Sequence, residues 1–153
     1  MKLEEAIKTN RFTDELHKAT LNILYTAYWL KNNLSTAIKE NGLTVEQFNV
    51  LRILKGKHPQ PMCVKDIGSR IIEKNSNVPR IIDRLIVKKL VKRTPSQEDK
   101  RETLISLTEK GIKQLEEANK ALEESTRNNI VMEPEDAKML NELLEKMREK
   151  EVA

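Results

Sequence analysis

The chain has one cysteine, four glycines, five prolines and five aromatic residues among its 153 positions. A single cysteine excludes a disulfide framework and a cysteine-based zinc finger. So few turn residues beside so many helix formers predict mostly helix. The two histidines, His17 and His58, lie far apart and make no metal-ligand pattern. The longest apolar stretch, Ile23 to Leu30 with Thr26 inside it, is too short to span a bilayer. The opening MKLEEAIK lacks the apolar centre of a secretory signal. There is no glycine-rich phosphate loop, no His-Glu-x-x-His, and no cysteine with a histidine and an acid around it. Glu116-Glu117 lies on a helical surface without a cleft. These absences predict a cytoplasmic protein that is not an enzyme, holds no metal or cofactor, and has no membrane partner.

What is present is charge, unevenly distributed. The net charge is +4, but residues 64–101 carry 11 basic and 5 acidic side chains, whereas residues 111–153 carry 7 and 11. A basic centre beside an acidic tail reads as a local anion-binding surface, or as a solvated helical surface of uneven charge.

The hydrophobic pattern divides the chain into elements. From about Asp14 to Asn41, Leu16, Thr20, Ile23, Ala27, Leu30, Leu34 and Ala37 recur in steps of three and four, so one long helix is expected. Asn41-Gly42 ends it. Thr44 with Gln47 three residues on is a capping box opening a second helix, with Phe48, Leu51 and Leu54 inward. Gly56, Pro59 and Pro61 mark a loop. A short helix from about Val64 to Ile72 and the polar turn Glu73 to Ser76 follow. Ser76 is expected to cap the next helix. That helix faces inward with Val78, Ile81, Ile82 and Leu85. Outward it presents Asn77, Arg80, Arg84 and Lys88, with three cations stepping by four along one ridge. Leu90 to Thr94 and Thr103 to Leu107 read as a two-stranded hairpin with a charged tip. Thr108 caps a further long helix, and Pro134 opens a last one.

A short helix, a tight turn and a helix with a cationic outer ridge make a helix-turn-helix, and a charged hairpin after it is a wing. A major groove admits one helix, where Asn and Arg can pair with base edges or phosphates. A basic hairpin tip can reach the neighbouring minor groove or backbone.

Three stretches carry a resemblance: LTVEQFNVLRIL (43–54), NSNVPRIIDRLIVKKLVKR (75–93) and DKRETLISLTEKG (99–111). Together they resemble the MarR family of bacterial transcriptional regulators, the Asp-x-Arg wing tip with the following Leu-Thr-x-x-Gly being the most specific part. The resemblance implies a mainly α fold with a small two-stranded β-wing. Residues 42–110 would form the winged helix-turn-helix. Residues 1–41 and 111–153 would form a helical dimerisation region. It implies a homodimer that binds double-stranded DNA at a pseudo-palindromic operator, as a repressor, with a small aromatic ligand relieving the binding.

The resemblance assigns DNA contact to Ser76, Asn77, Arg80 and Arg84 on the recognition helix, although these also read as a helix cap and an ordinary solvated face. In the wing, Lys100 corresponds to a phosphate contact and Arg101 to a minor-groove arginine. Asp99 would stiffen the tip by holding an arginine, Arg93 or Arg101. Tyr25, Tyr28, Trp29 and Phe48 are candidates for a ligand pocket, or are core. Two positions depart from the family pattern. Pro79 stands where a serine or threonine is usual, and Lys89 where glycine is usual, so Lys89 is strained if positive φ is kept. Two other readings remain: a helical module that docks a protein partner through the winged helix, and an oxidant sensor working through Cys63.

Overall fold

The structure, a computed structural model, describes residues 1–97 and 102–151. Helix α1 (Leu3–Ile7) precedes the long α2 (Glu15–Lys39) and α3 (Val45–Lys57). Strand β1 (Met62–Cys63), α4 (Val64–Arg70), α5 (Val78–Val87), β2 (Val91–Pro95) and β3 (Thr103–Leu107) follow, then α6 (Glu109–Asn129) and α7 (Pro134–Met147). Mainly helix with a small wing is therefore the fold, as expected.

Local chemistry sets most boundaries. The Asp14 carboxylate accepts the His17 N–H and opens α2. Gly42, at φ +66°, turns the chain after it. The box at the start of α3 is formed in both directions: Thr44 Oγ1 accepts from Gln47 N–H, and Gln47 Oε1 accepts from Thr44 N–H. The buried face of α3, with Phe48, Val50, Leu51 and Leu54, is the centre of the core. Around it close Ile38 of α2, Ile67 of α4, Ile82 and Leu85 of α5, Ile105 of β3, and Leu115 and Ala118 of α6. Each large apolar side chain fully buried there contributes about 1.5–3 kcal/mol of transfer free energy.

Three features depart from the sequence reading. The sheet has three strands, in the order β1-β3-β2, rather than two. Met62 pairs with Ile105 and Cys63 with Leu104, so the loop after α3 adds a two-residue edge. A pair of residues is too short to show a period. Helix α1 precedes the first element that the apolar periodicity marks. It has only five residues, and it is fixed by burial of Leu3 and by the pair between Glu4 and Lys18 of α2, 2.5 Å apart. Finally, α5 is capped by Asn77, whose Oδ1 accepts the Arg80 N–H, and not by Ser76. Were Ser76 the cap, the residue three positions on would be Pro79, which has no N–H to donate.

The end of α5 is joined to the start of α6. Lys89 has φ +60°. Its N–H donates to Ile86 O, and the Leu90 N–H to Leu85 O, which together make a Schellman ending. Thr108, which caps α6, donates its hydroxyl to the carbonyls of Lys89 and Leu90, and Lys110 Nζ donates to Lys88 O. The carbonyls of the turn that follows α5, from Lys88 to Leu90, are thus satisfied by the cap and first turn of α6. Gly111 N–H closes the arrangement on Thr108 Oγ1.

Helices α2 and α6 pack along each other, and no residue of α7 is fully buried. Among the described residues no helix is long and apolar enough to cross a membrane.

Candidate nucleic-acid interface

Helix α4, the turn and α5 form the helix-turn-helix. Buried Ile67, Ile71, Val78, Ile82 and Leu85 fix it against α3. The turn is held from both sides. Lys74 Nζ donates to Ser69 O at the end of α4, and Glu73 accepts from Lys31 Nζ of α2 at 2.5 Å.

On the outer side lies an open groove of about 400 Å³ between the start of α3 and the exposed face of α5. Ser76, Asn77, Arg80 and Arg84 all line it, so four residues singled out from the sequence share one surface. Arg80 and Arg84 are exposed and one helical turn apart. Asn77 Oδ1 is taken by the cap, which leaves its amide N–H₂ to donate. Pro79 sits in the first turn of α5, where no intrahelical bond is lost.

The same groove has acids the sequence reading did not single out. Glu46 of α3 and Glu73 of the turn line it together with Thr44 and Gln47. No spacing rule brings positions 46 and 73 to α5; only the packing of α3 on the helix-turn-helix does.

Lys88 does not extend the cationic ridge. Its Nζ turns inward and donates to Gly42 O at 2.6 Å and to Gln47 Oε1 at 2.8 Å. It is half-buried and clamps α5 to the α2–α3 junction. Step-four spacing marks a face, but by Lys88 that face has run beneath α3.

In the wing, Arg93 of β2 donates through Nη2 to Asp83 Oδ1 of α5 at 2.8 Å. The expected holder of an arginine, Asp99, lies outside the described residues, as do Lys100 and Arg101. Arg93 thus ties the root of the wing to α5.

The four aromatic candidates separate. Phe48 is fully buried in the core, so the ligand-lining reading of this residue is replaced by packing. Tyr28 stands exposed on α2. Tyr25 and Trp29 line a cavity of about 310 Å³ with Met1, Leu3, Asn22 and Thr26, beneath α1. Cys63 caps α4: its Sγ accepts the Asp66 N–H at 3.4 Å, a structural use of the thiol. A smaller cavity of about 200 Å³ between α2 and α6 is lined by Asn33, whose buried Nδ2 has no partner among the described residues.

Comparison with known proteins agrees with this geometry. A family model described as the transcriptional regulator SarA/Rot matches residues 33–118. The chain is similar to the HTH-type transcriptional regulator MhqR of Bacillus subtilis (strain 168), 32% identical over 83 residues, covering 54% of this chain and 56% of the relative. The chain spans about half the length of the curated relatives it matches. Its fold is similar to that of BpsR from Bordetella bronchiseptica, whose DNA binding is described as regulated by 6-hydroxynicotinic acid. The TM-score is 0.70 at 26% identity, with 82% of this chain and 96% of that one covered. It is also similar to a mutant MarR from E. coli complexed with operator DNA, with TM-score 0.74, 22% identity, and 90% and 99% covered. A winged helix-turn-helix of this construction, matched across more than half its length, places the chain in the SarA/Rot family of transcriptional regulators, with the fold of the MarR-type proteins.

Proposed function

We propose that this chain acts in the cytoplasm as a homodimer that binds duplex DNA sequence-specifically and represses transcription. The observation that carries the reading is the convergence of Ser76, Asn77, Arg80 and Arg84 on one open groove along the exposed face of α5. In this reading α5 enters the major groove. Arg80 and Arg84 pair with guanine edges or phosphates, Asn77 donates its free amide, and Ser76 reaches a phosphate. Lys100 and Arg101 take the phosphate and minor-groove contacts of the wing, stiffened by Asp99. That a protein of similar fold, a mutant MarR from E. coli, is complexed with operator DNA supports a DNA-binding use of this fold.

Pairing of two copies through residues 1–41 and 111–153 is supported by surface left uncovered. Helix α7 exposes Met139, Leu140, Leu143 and Met147, and α2 exposes Leu16, Leu24 and Tyr28. Apolar surface of this extent marks an interface. A two-fold dimer presents two α5 helices to successive major grooves about 34 Å apart, so the operator is an inverted repeat. Relief by a small aromatic ligand is supported by the cavity beside Tyr25 and Trp29, and by the ligand-regulated relative.

Selection from a random duplex library at two salt concentrations tests the reading. Enrichment of an inverted repeat with a steep salt dependence is the expected result. Enrichment of no sequence, with equal binding to all duplexes, would overturn it.

A further inference from the structure

Lys31 belongs to α2, outside both the winged helix and the residues matched by the family model, yet it reaches the helix-turn-helix. Its Nζ lies 2.5 Å from Glu73 Oε1, and both side chains are about half exposed. Glu73 lines the groove along α5, while Lys31 does not.

The charges of that groove need this lysine. Of its lining residues Arg80 and Arg84 are cationic, and Glu46 and Glu73 are anionic. The four cancel. A surface that receives a polyanion is poorly served by zero net charge, and an unpaired carboxylate there would repel phosphate. Lys31 lies within the field of both acids. The Glu73 hydrogen bond, and then the Glu73 and Glu46 charges, raise its pKa, so it stays charged throughout the physiological range.

We propose that Lys31 is a positioning residue for DNA binding: it holds the Glu73 carboxylate against α2 and out of the path of the phosphates. This inference rests on the DNA-binding reading above. It makes the sign of the DNA-facing groove depend on a residue of the long N-terminal helix. A movement of α2 relative to the turn would therefore be read out at the groove.

The test is a double-mutant cycle on the full-length chain: wild type, Lys31→Met, Glu73→Gln and the pair. The readout is fluorescence anisotropy with a labelled mixed-sequence duplex of about 30 base pairs, some three helical turns. Thermal unfolding of each variant runs alongside. Lys31→Met should weaken binding about three- to tenfold in the wild-type background and less than about twofold in the Glu73→Gln background. Lys31→Arg should bind like wild type. An equal or larger loss in the Glu73→Gln background would overturn the inference, because Lys31 would then be touching DNA itself. Unchanged binding by Lys31→Met would overturn it too. A wild type that binds neither this duplex nor any member of the random library would instead remove the reading on which the inference rests.

Discussion

Gly111 of α6 lies against the carbonyl of Leu90, so close that a β-carbon at 111 would stand 2.0 Å from that oxygen and 2.9 Å from its carbon. Nothing there is a flexible side chain that could move aside. Gly111→Ala should force apart the end of α5 and the start of α6, and cost roughly 2–3 kcal/mol, as backbone overpacking does. A lowered thermal midpoint measures this. A midpoint within a degree of wild type would show that the junction is looser than described.

Lys89 tests the same junction with the opposite sign. Its φ of +60° is costly for a residue with a β-carbon. That cost is about 1–2 kcal/mol, and glycine's greater freedom in the unfolded chain returns part of it. Lys89→Gly should therefore stabilise the protein by about 0.5–1 kcal/mol. Chemical denaturation should show a higher midpoint with an unchanged slope.

Lys88 and Arg84 sit one helical turn apart on α5 but do different work. Lys88 satisfies a backbone carbonyl and the buried Gln47, while Arg84 is exposed in the groove. Lys88→Ala should cost about 1–2 kcal/mol of stability, because Gln47 loses its charged donor and the Gly42 carbonyl loses a half-buried one. Arg84→Ala should stay within about 0.5 kcal/mol, as exposed changes do.

The Glu4–Lys18 pair gives α1 a pH dependence. The hydrogen bond from Lys18 lowers the Glu4 pKa below its usual 4.5. The hydrogen bond to Glu4 raises that of Lys18 above 10.5. A depressed carboxylate favours the folded state above its ordinary pKa, and this is lost as pH falls through the folded value. The raised lysine favours it below its ordinary pKa, and this is lost as pH rises through the folded value. NMR titration of Glu4 should give a midpoint under 4.5, with α1 amide shifts moving in step.

The sequence made local signals legible and left long-range pairings hidden. The capping box of Thr44 and Gln47, the helix stop at Gly42, the positive φ at Lys89 and the face of Arg80 and Arg84 rest on neighbours within a few residues. The box, the stop and the shared face form as read, and Lys89 keeps the positive φ on which its strain depends. Ser76 and Asn77 are both good caps, and the choice between them turns on the missing N–H of Pro79. What spacing could not show were partners brought by tertiary packing. Lys88 finds Gln47 and Gly42, more than 40 positions away; Arg93 finds Asp83 across the wing root; Lys31 finds Glu73. By residue type Phe48 suits a core or a pocket, and its burial decides for the core.

The central claim is that the exposed face of α5 holds DNA, and Arg80→Ala tests it most directly. The affinity of wild type and variant for the selected inverted repeat should be measured across a salt series, with thermal unfolding as control. The account predicts a loss of about 1–3 kcal/mol in binding, relaxed discrimination at one base pair in each half-site if Arg80 reads a base, or a shallower salt slope if it holds a phosphate, and an unchanged thermal midpoint. Equal affinity and equal specificity in the two proteins would contradict it.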